Sequence, residues 1–393
     1  ICFSGTIAAA LYFFAPQIAS SWIGDSRTTD ALRLFAAFLP ASCLCGVMCG
    51  YFTGANRIGT LAAVEVAEQL CSMIVTVTTL TLWAGTDAVR ACQCVILGSC
   101  AGNCFTLVTL VLLRIRNHAE ASRIIPLGYR LAKTALPLGA ADVLKSGINT
   151  AENLMVPKRL ALNTLTNDPL AAFGCLSGMV FPVLMFPACI LFGLAELLIP
   201  ELARCAAAES KRRISHLVQR SLKVSLLYGI LFSGLLFLLA KPLCLRLYNN
   251  QEAGNFLRLY ALLIPMLYCD AITDAMIKGL GQQKKSVQYN IFTSALDVLF
   301  LYLLLPKYGM TGYFLSFLVT HLINFLLSLR RLLKITQLKL NYKKAFLSLF
   351  CAMGATYLCT LCPGAVLPGI LYIPAFFCLL TLLGVVRKSD FLW

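Results

Sequence analysis

The sequence predicts an all-α integral membrane protein, a helical bundle of two lobes, and three observations predict it. Of its 393 residues, 59% are hydrophobic and 13% charged, with a mean hydropathy of +0.80, against about 25% charged in a soluble domain. Runs of about 20 apolar residues, enough to cross a hydrocarbon core of about 30 Å, recur along the whole chain. Part of the first half is repeated in the second. Strands are excluded because the runs are continuous rather than alternating, and much longer than the roughly 9 to 11 residues of a barrel strand.

Twelve spans are predicted, near 1–22, 31–53, 60–83, 91–113, 132–157, 169–195, 221–240, 256–279, 286–305, 309–329, 345–362 and 365–386. The first opens on Ile1 inside an apolar run instead of on a Met with a charged leader, so an N-terminally shortened chain is expected. Alternate loops collect the basic residues. Arg57 follows the second span, and Arg114, Arg116, Arg123, Arg130 and Lys133 follow the fourth. Arg204, Lys211, Arg212, Arg213, Arg220 and Lys223 follow the sixth; Lys278, Lys284 and Lys285 the eighth; Arg330, Arg331, Lys334, Lys339, Lys343 and Lys344 the tenth; and Arg387 and Lys388 the last. This set holds 23 of the 33 basic residues. The positive-inside rule then places these loops and the C-terminus in the cytoplasm of a multi-pass cell-membrane protein. The net charge of +16 is explained by topology and by membrane lipids, and no nucleic-acid partner is expected.

The 18 cysteines lie mostly in spans, where a thiol packs as a small apolar group. Cys359 and Cys362 form a CxxC with no second pair and no nearby His, so no metal is expected.

ALRLFAAFLP at 31–40 matches FLRLYALLIP at 256–265 at an offset of 225 residues, which also aligns Gly54 with Gly279. With a one-residue gap, Pro16 and Trp22 meet Pro242 and Tyr248. The least trivial matches are Arg33 with Arg258 and Pro40 with Pro265. The offset spans six helices, an even number, so the copies run the same way through the membrane. The expected organisation is a partial N-terminal lobe of four helices over 1–114, a cytoplasmic linker over 115–131, a six-helix C-terminal lobe over 132–331 and two further helices over 332–393. The intact protein is expected to have fourteen.

The span 132–157 carries charge. At about 100° per residue, Asp142, Lys145, Asn149, Glu152 and Asn153 fall within an arc of about 100°. A lipid-facing stripe is implausible at about 2.5 to 3.5 kcal/mol for each ionised residue at a helix centre. The stripe therefore either closes an internal network, with Asp142 and Lys145 paired, or forms the wall of a substrate cavity between lobes. Two further acid pairs, Glu65 with Glu68 and Asp270 with Asp274, share helix faces and are candidates to hold H⁺ or Na⁺; near helix ends they are equally read as solvated. Asp297 and Glu196 are further acids within spans. His321 is read as a hydrogen-bonded packing residue.

AENLMVPKRL at 151–160, MIKGLGQQKKSVQYNI at 276–291, LPKYGMTGYFLSFLVTHLI at 305–323 and VEVAEQL at 64–70 resemble the stage V sporulation protein B branch of the multidrug/oligosaccharidyl-lipid/polysaccharide (MATE-like) exporter superfamily. The resemblance covers essentially the whole chain and implies a two-lobe, fourteen-helix plan. It also implies flipping of polyprenyl-linked sugars, lipid II or related peptidoglycan precursors between leaflets, in cell-wall biogenesis. The family often carries a basic residue three positions after its Glu-Gln pair, where this chain has Ser72.

The expected function is thus a flippase for a lipid-linked glycan, acting as a monomer without a cofactor beyond H⁺ or Na⁺ coupling. A net-acidic stripe suits a cation-coupled multidrug antiporter as the alternative. A glycan-processing enzyme is the remote third, since loops reach only about 25 residues, shorter than catalytic constellations usually require.

Overall fold

The computed structural model describes residues 2–23, 26–55, 57–85, 87–116, 127–163, 168–338, 342–361, 364 and 366–385. Cys362, most of the 115–131 linker and the C-terminal Arg387 and Lys388 lie outside them. Helix accounts for nearly all of the described residues, and no strand occurs among them. They form two compact units, Ile1–Ala132 and Lys133–Trp393.

In the first unit, α1 (Cys2–Gln17) continues through a π-helical segment, Ile18–Ile23. It is followed by α2 (Thr29–Gly54), α3 (Ile58–Thr79, extended by Leu80–Ala84) and α4 (Ala88–Arg116). Helix α4 packs on α2 and α3. Close approach is set by Gly98 and Gly102, where an added Cβ would lie 1.9 Å from Thr76 Oγ1 and 3.1 Å from Ser72 Cβ respectively. The outer faces stay apolar: Leu82 is 88% and Phe13 75% exposed, a pattern suited to lipid.

The second unit opens with α5 (Leu127–Leu160). A broken helix follows, made of α6 (Pro169–Cys175), a π turn, α7 (Phe181–Met185) and α8 (Ala188–Ala207), with a bend of 63° between its halves. The break falls at Pro187, which has no N–H to give to the preceding turn. The carbonyls near it are not left bare. Tyr268 Oη donates to Leu184 O at 2.8 Å and Tyr228 Oη to Pro187 O at 2.7 Å. Next come α9 (Lys211–Tyr248), α10 (Gln251–Ala261) and α11 (Ile264–Gly279), the last two bent by 58° ahead of Pro265.

Helix α12 (Gln283–Thr336) is interrupted at Gly309, whose φ of 56° and ψ of −135° suit only glycine. Contacts across the interruption pair Asp297 with Ser316 and Thr293 with Asn324, so its limbs, 283–308 and 310–336, fold back on each other. Gly312 permits this, since its Cβ would meet Leu304 O at 2.7 Å. Helices α13 (Tyr342–Thr360) and α14 (Leu367–Leu382) pack on each other and on α9, with Tyr372 seated against Gly234.

Among the described residues six helices are each long and apolar enough to cross a membrane, and each bent pair adds one more if it is a single span. Helix α5 is not among them because its charges interrupt the apolar run. Most predicted spans fall on one helix or on a limb of α12, whereas 169–195 and 256–279 each run across a bent pair of helices.

The repeat has a structural counterpart. Arg33 on α2 lies over the ring of Tyr12 on α1 at 5.5 Å, and its repeat partner Arg258 on α10 lies over the ring of Phe237 on α9 at 4.4 Å. Gly85, between α3 and α4, has φ 54° and ψ −126°, close to Gly309 between the limbs of α12. Helices α1 to α4 thus repeat as α9 to α12.

Candidate functional site

A polar cavity of about 290 Å³ lies inside the second unit, walled by α5, α11 and both limbs of α12. From α5 it takes Lys145, Asn149 and Glu152; from α11, Asp270; from the first limb of α12, Asn290, Thr293, Ser294 and Asp297; from the second, Phe317, Thr320, His321 and Asn324.

The sequence of α5 explains its part. Lys145, Asn149, Glu152, Val156 and Leu160 follow one another at three- and four-residue steps and so share a face. Its outer end is apolar and fully buried at Val156 and Leu160, which seats the helix. Arg159 over the Tyr302 ring at 3.4 Å and Asn163 Nδ2 donating to Pro306 O at 3.1 Å fix that end to α12. The inner turns of the same face then point at the cavity. Of the predicted five-residue stripe, three line it. Asp142, a turn nearer the start of α5, and Asn153, one residue off the face, are exposed and do not. No ion pair joins Asp142 to Lys145 among the described residues.

The opposite wall is a hydrogen-bonded lattice. Asp297 is 8% exposed and accepts at Oδ1 from Ser316 Oγ at 2.5 Å and Thr320 Oγ1 at 3.2 Å. Thr293 Oγ1 donates to Asn324 Oδ1 at 3.4 Å, and Asn324 Nδ2 to Asp270 Oδ2 at 2.9 Å. Asp270 Oδ1 is buried and has no hydrogen-bond partner among the described residues. His321 stacks on Phe317 with centroids 3.9 Å apart, and its Nδ1 lies 3.0 Å from Phe317 O. It is held by packing as expected, yet it also lines the cavity. A second void of about 220 Å³ shares Asp270, Asn290, His321 and Asn324 and continues toward Tyr268 and Asp274.

Glu152, Asp270 and Asp297 therefore face a common space whose fixed positive charge is Lys145. Charge inside a membrane is tolerated when paired or hydrogen-bonded, and the unmatched acid suits a small cation or a proton. No group of three His, Cys, Asp or Glu side chains arranged for a metal ion occurs among the described residues.

The candidate acid pairs separate. Asp274 accepts from Ser286 Oγ and pairs with Lys278 Nζ at 2.7 Å, so its charge is already met and Asp270 alone enters the polar cavity of about 290 Å³. In the first unit, Glu68 accepts from Thr106 Oγ1 at 2.7 Å, while Glu65, three residues away, is exposed. Sequence reasoning named Asp297 without assigning it to the site, and missed Asn290, Thr293, Thr320 and Asn324. The signal was present as spacing, since 290, 293 and 297 share one face and 320 and 324 another.

The MatE family profile matches residues 158–303. Stage V sporulation protein B of Bacillus subtilis (strain 168) is 23% identical over 352 residues, which cover 86% of this chain and 67% of that protein. Among solved structures, lipid II flippase MurJ in an inward closed conformation matches with a TM-score of 0.69 and 13% identity, over 97% of this chain and 81% of that one. The chain has the fold of the MATE-like exporters. The bent form of the Vibrio cholerae MATE transporter VcmN matches with a TM-score of 0.59 and 16% identity, over 86% of this chain and 76% of that one. The polar cavity lies within the second unit, and the matched family segment contains Asp270 and Asp297.

Proposed function

We propose that this multi-pass membrane protein flips a polyprenyl-linked oligosaccharide or peptidoglycan precursor of the lipid II type. The head group crosses from the inner to the outer leaflet by alternating access of two lobes, while the polyprenyl tail stays in lipid. Basic loops and the C-terminus face the cytoplasm. The observation that supports the cargo is the likeness to the lipid II flippase over 97% of this chain, with a higher TM-score than the MATE transporter. An enzymatic reading is set aside, since both solved structures are transporters.

The acidic cavity is the driver in this reading and not the seat of the pyrophosphate. A group of that charge is held by Arg and Lys donors, and here Lys145 stands against three carboxylates. A cation or proton bound by Glu152 and Asp297 moves the two-state equilibrium only if its affinity differs between the states. The limbs of α12, hinged at Gly309, supply a means: a shift of one against the other changes the distance from Asp297 to Ser316 and Thr320.

One observation favours a second reading. A net-acidic cavity suits an organic cation exchanged for H⁺ or Na⁺, the activity of a multidrug antiporter. The test is reconstitution into proteoliposomes with a labelled polyprenyl-pyrophosphate sugar in the inner leaflet. The flippase reading expects protein-dependent exposure of the label outside. Cation-driven efflux of a dye without such exposure selects the antiporter.

A further inference from the structure

The second void, of about 220 Å³, shares Asp270, Asn290, His321 and Asn324 with the polar cavity, so the two are neighbouring parts of one polar strip. Its direction follows from α11. Asp270, Asp274 and Lys278 succeed one another at four-residue steps and share a face, and the helix ends at Gly279. At 1.5 Å per residue, Asp270 lies about 14 Å and Asp274 about 8 Å from that end. The first limb of α12 starts beside it at Gln283, and its Ser286, Asn290, Thr293 and Asp297 again follow three- and four-residue steps. The void therefore extends from the polar cavity toward the turn that carries Lys278, Lys284 and Lys285. Another part of its wall is the break in the helix at Pro187, where Met185 and Ala188 line it. Irregular backbone at membrane depth is tolerated where it borders a cavity.

An ion pair stands at the end of this strip. Lys278 Nζ lies 2.7 Å from Asp274 Oδ2, with the two side chains 38% and 21% exposed. The buried Ser286 Oγ donates to Asp274 Oδ1, and Asn290 Nδ2 donates to Ser286 O at 3.0 Å. A half-exposed pair of this spacing adds little to stability and opens easily, yet its acid lines the void. We propose that the second void is the route between solvent at the basic turn and the polar cavity for the cation that drives transport, and that Lys278 closes it by holding Asp274. The proposal rests on the reading of the polar cavity as the driver. When Lys278 swings away, Asp274 stays anchored by Ser286 and presents an uncompensated carboxylate at the entrance. A cation then passes to Asp270, one turn deeper, whose second oxygen has no partner among the described residues.

The test is the reactivity of a thiol placed in the void by Ala271→Cys, in the protein held in lipid nanodiscs. The probe is Ag⁺, a small monovalent cation that bonds to thiols, and its progress is read by mass spectrometry of the peptide that carries residues 269 and 271. The native thiol of Cys269, buried and 3.6 Å from Ser225 Oγ, is the internal reference. The introduced thiol is expected to react about tenfold faster than Cys269, as a solvent-reached thiol does beside a buried one. Lys278→Gln is expected to raise its rate about two- to threefold, since a surface pair is a weak hold. Lys284→Gln removes the same charge from the same turn outside the void and is expected to leave the rate unchanged. Thermal melting shows whether each variant is folded, and Lys278→Ala takes the place of Lys278→Gln if that one is not. An introduced thiol no more reactive than Cys269 overturns the route, and equal rates in Lys278→Gln and Lys284→Gln overturn the closing contact. The driver reading fails by a different result, full gradient dependence of transport in Asp297→Asn, which would leave the route without a cargo.

Discussion

Asn324 donates to Asp270 Oδ2 at 2.9 Å, a single bond that joins the second limb of α12 to α11 beside the polar cavity. The other oxygen of that carboxylate is buried and has no partner among the described residues, so the pair is half satisfied there. Replacing Asn324 by Leu leaves Asp270 without a described donor, and an unsatisfied buried polar group costs about 1–3 kcal/mol, more when charged. Asn324→Leu is expected to lower the thermal unfolding midpoint in detergent, and Asp270→Leu in the same background to recover part of the loss. A double variant less stable than the single one by the full cost of each would contradict the coupling.

Gly309 holds φ 56° and ψ −135° at the turn between the limbs of α12. A side chain there is strained by about 1–3 kcal/mol. Gly309→Ala is expected to reduce stability by that order. Gly85→Ala, at the matching turn of the first unit, is expected to do the same. Melting curves unchanged in both variants would mean that neither turn requires its conformation.

Most of the fold was legible because a bilayer span has one dominant signature, a run of about 20 apolar residues. The repeat was legible at Arg33 and Arg258, and in the structure each arginine lies over an aromatic ring of the preceding helix of its own unit. Gly85 and Gly309 escaped notice because their offset differs by one residue and a lone glycine match carries little weight. The site was legible by half. Lys145 and Glu152 stand out against an apolar background, whereas Thr293 and Thr320 also bond to their own helix carbonyls and read as ordinary span residues. Only the fold-back at Gly309 brings Asp297, Ser316 and Thr320 together. Asp142 and Asn153 fall within the predicted arc of about 100° but are not among the residues that line this cavity.

Asp297 and Glu152 line the cavity from opposite walls. Asp297→Asn keeps an acceptor for Ser316 and Thr320 while removing the charge, and Glu152→Gln does the same on α5. Each is expected to lower ion-driven transport by about 5- to 150-fold, the range of a coupling free energy of about 1–3 kcal/mol, with folding retained. The check is transport rate against an imposed Na⁺ or H⁺ gradient. Full gradient dependence in both variants would remove the cation from this cavity.

Lys145 is the one lysine or arginine among the cavity-lining residues. If it balances Glu152 and Asp297, Lys145→Gln alters the concentration of ion needed for half-maximal transport and leaves the half-saturating substrate concentration unchanged. A change confined to the substrate term would instead assign Lys145 to the head group.

The proposed cargo is a lipid-linked glycan. Its direct measurement is leaflet exchange in a single proteoliposome preparation loaded with both a labelled polyprenyl-pyrophosphate sugar and a cationic dye, under an imposed ion gradient. The flippase account predicts that the labelled sugar appears at the outer surface faster than in protein-free vesicles, and that Asp297→Asn slows it. Dye efflux that depends on the protein, with sugar exchange at the protein-free rate, would contradict it.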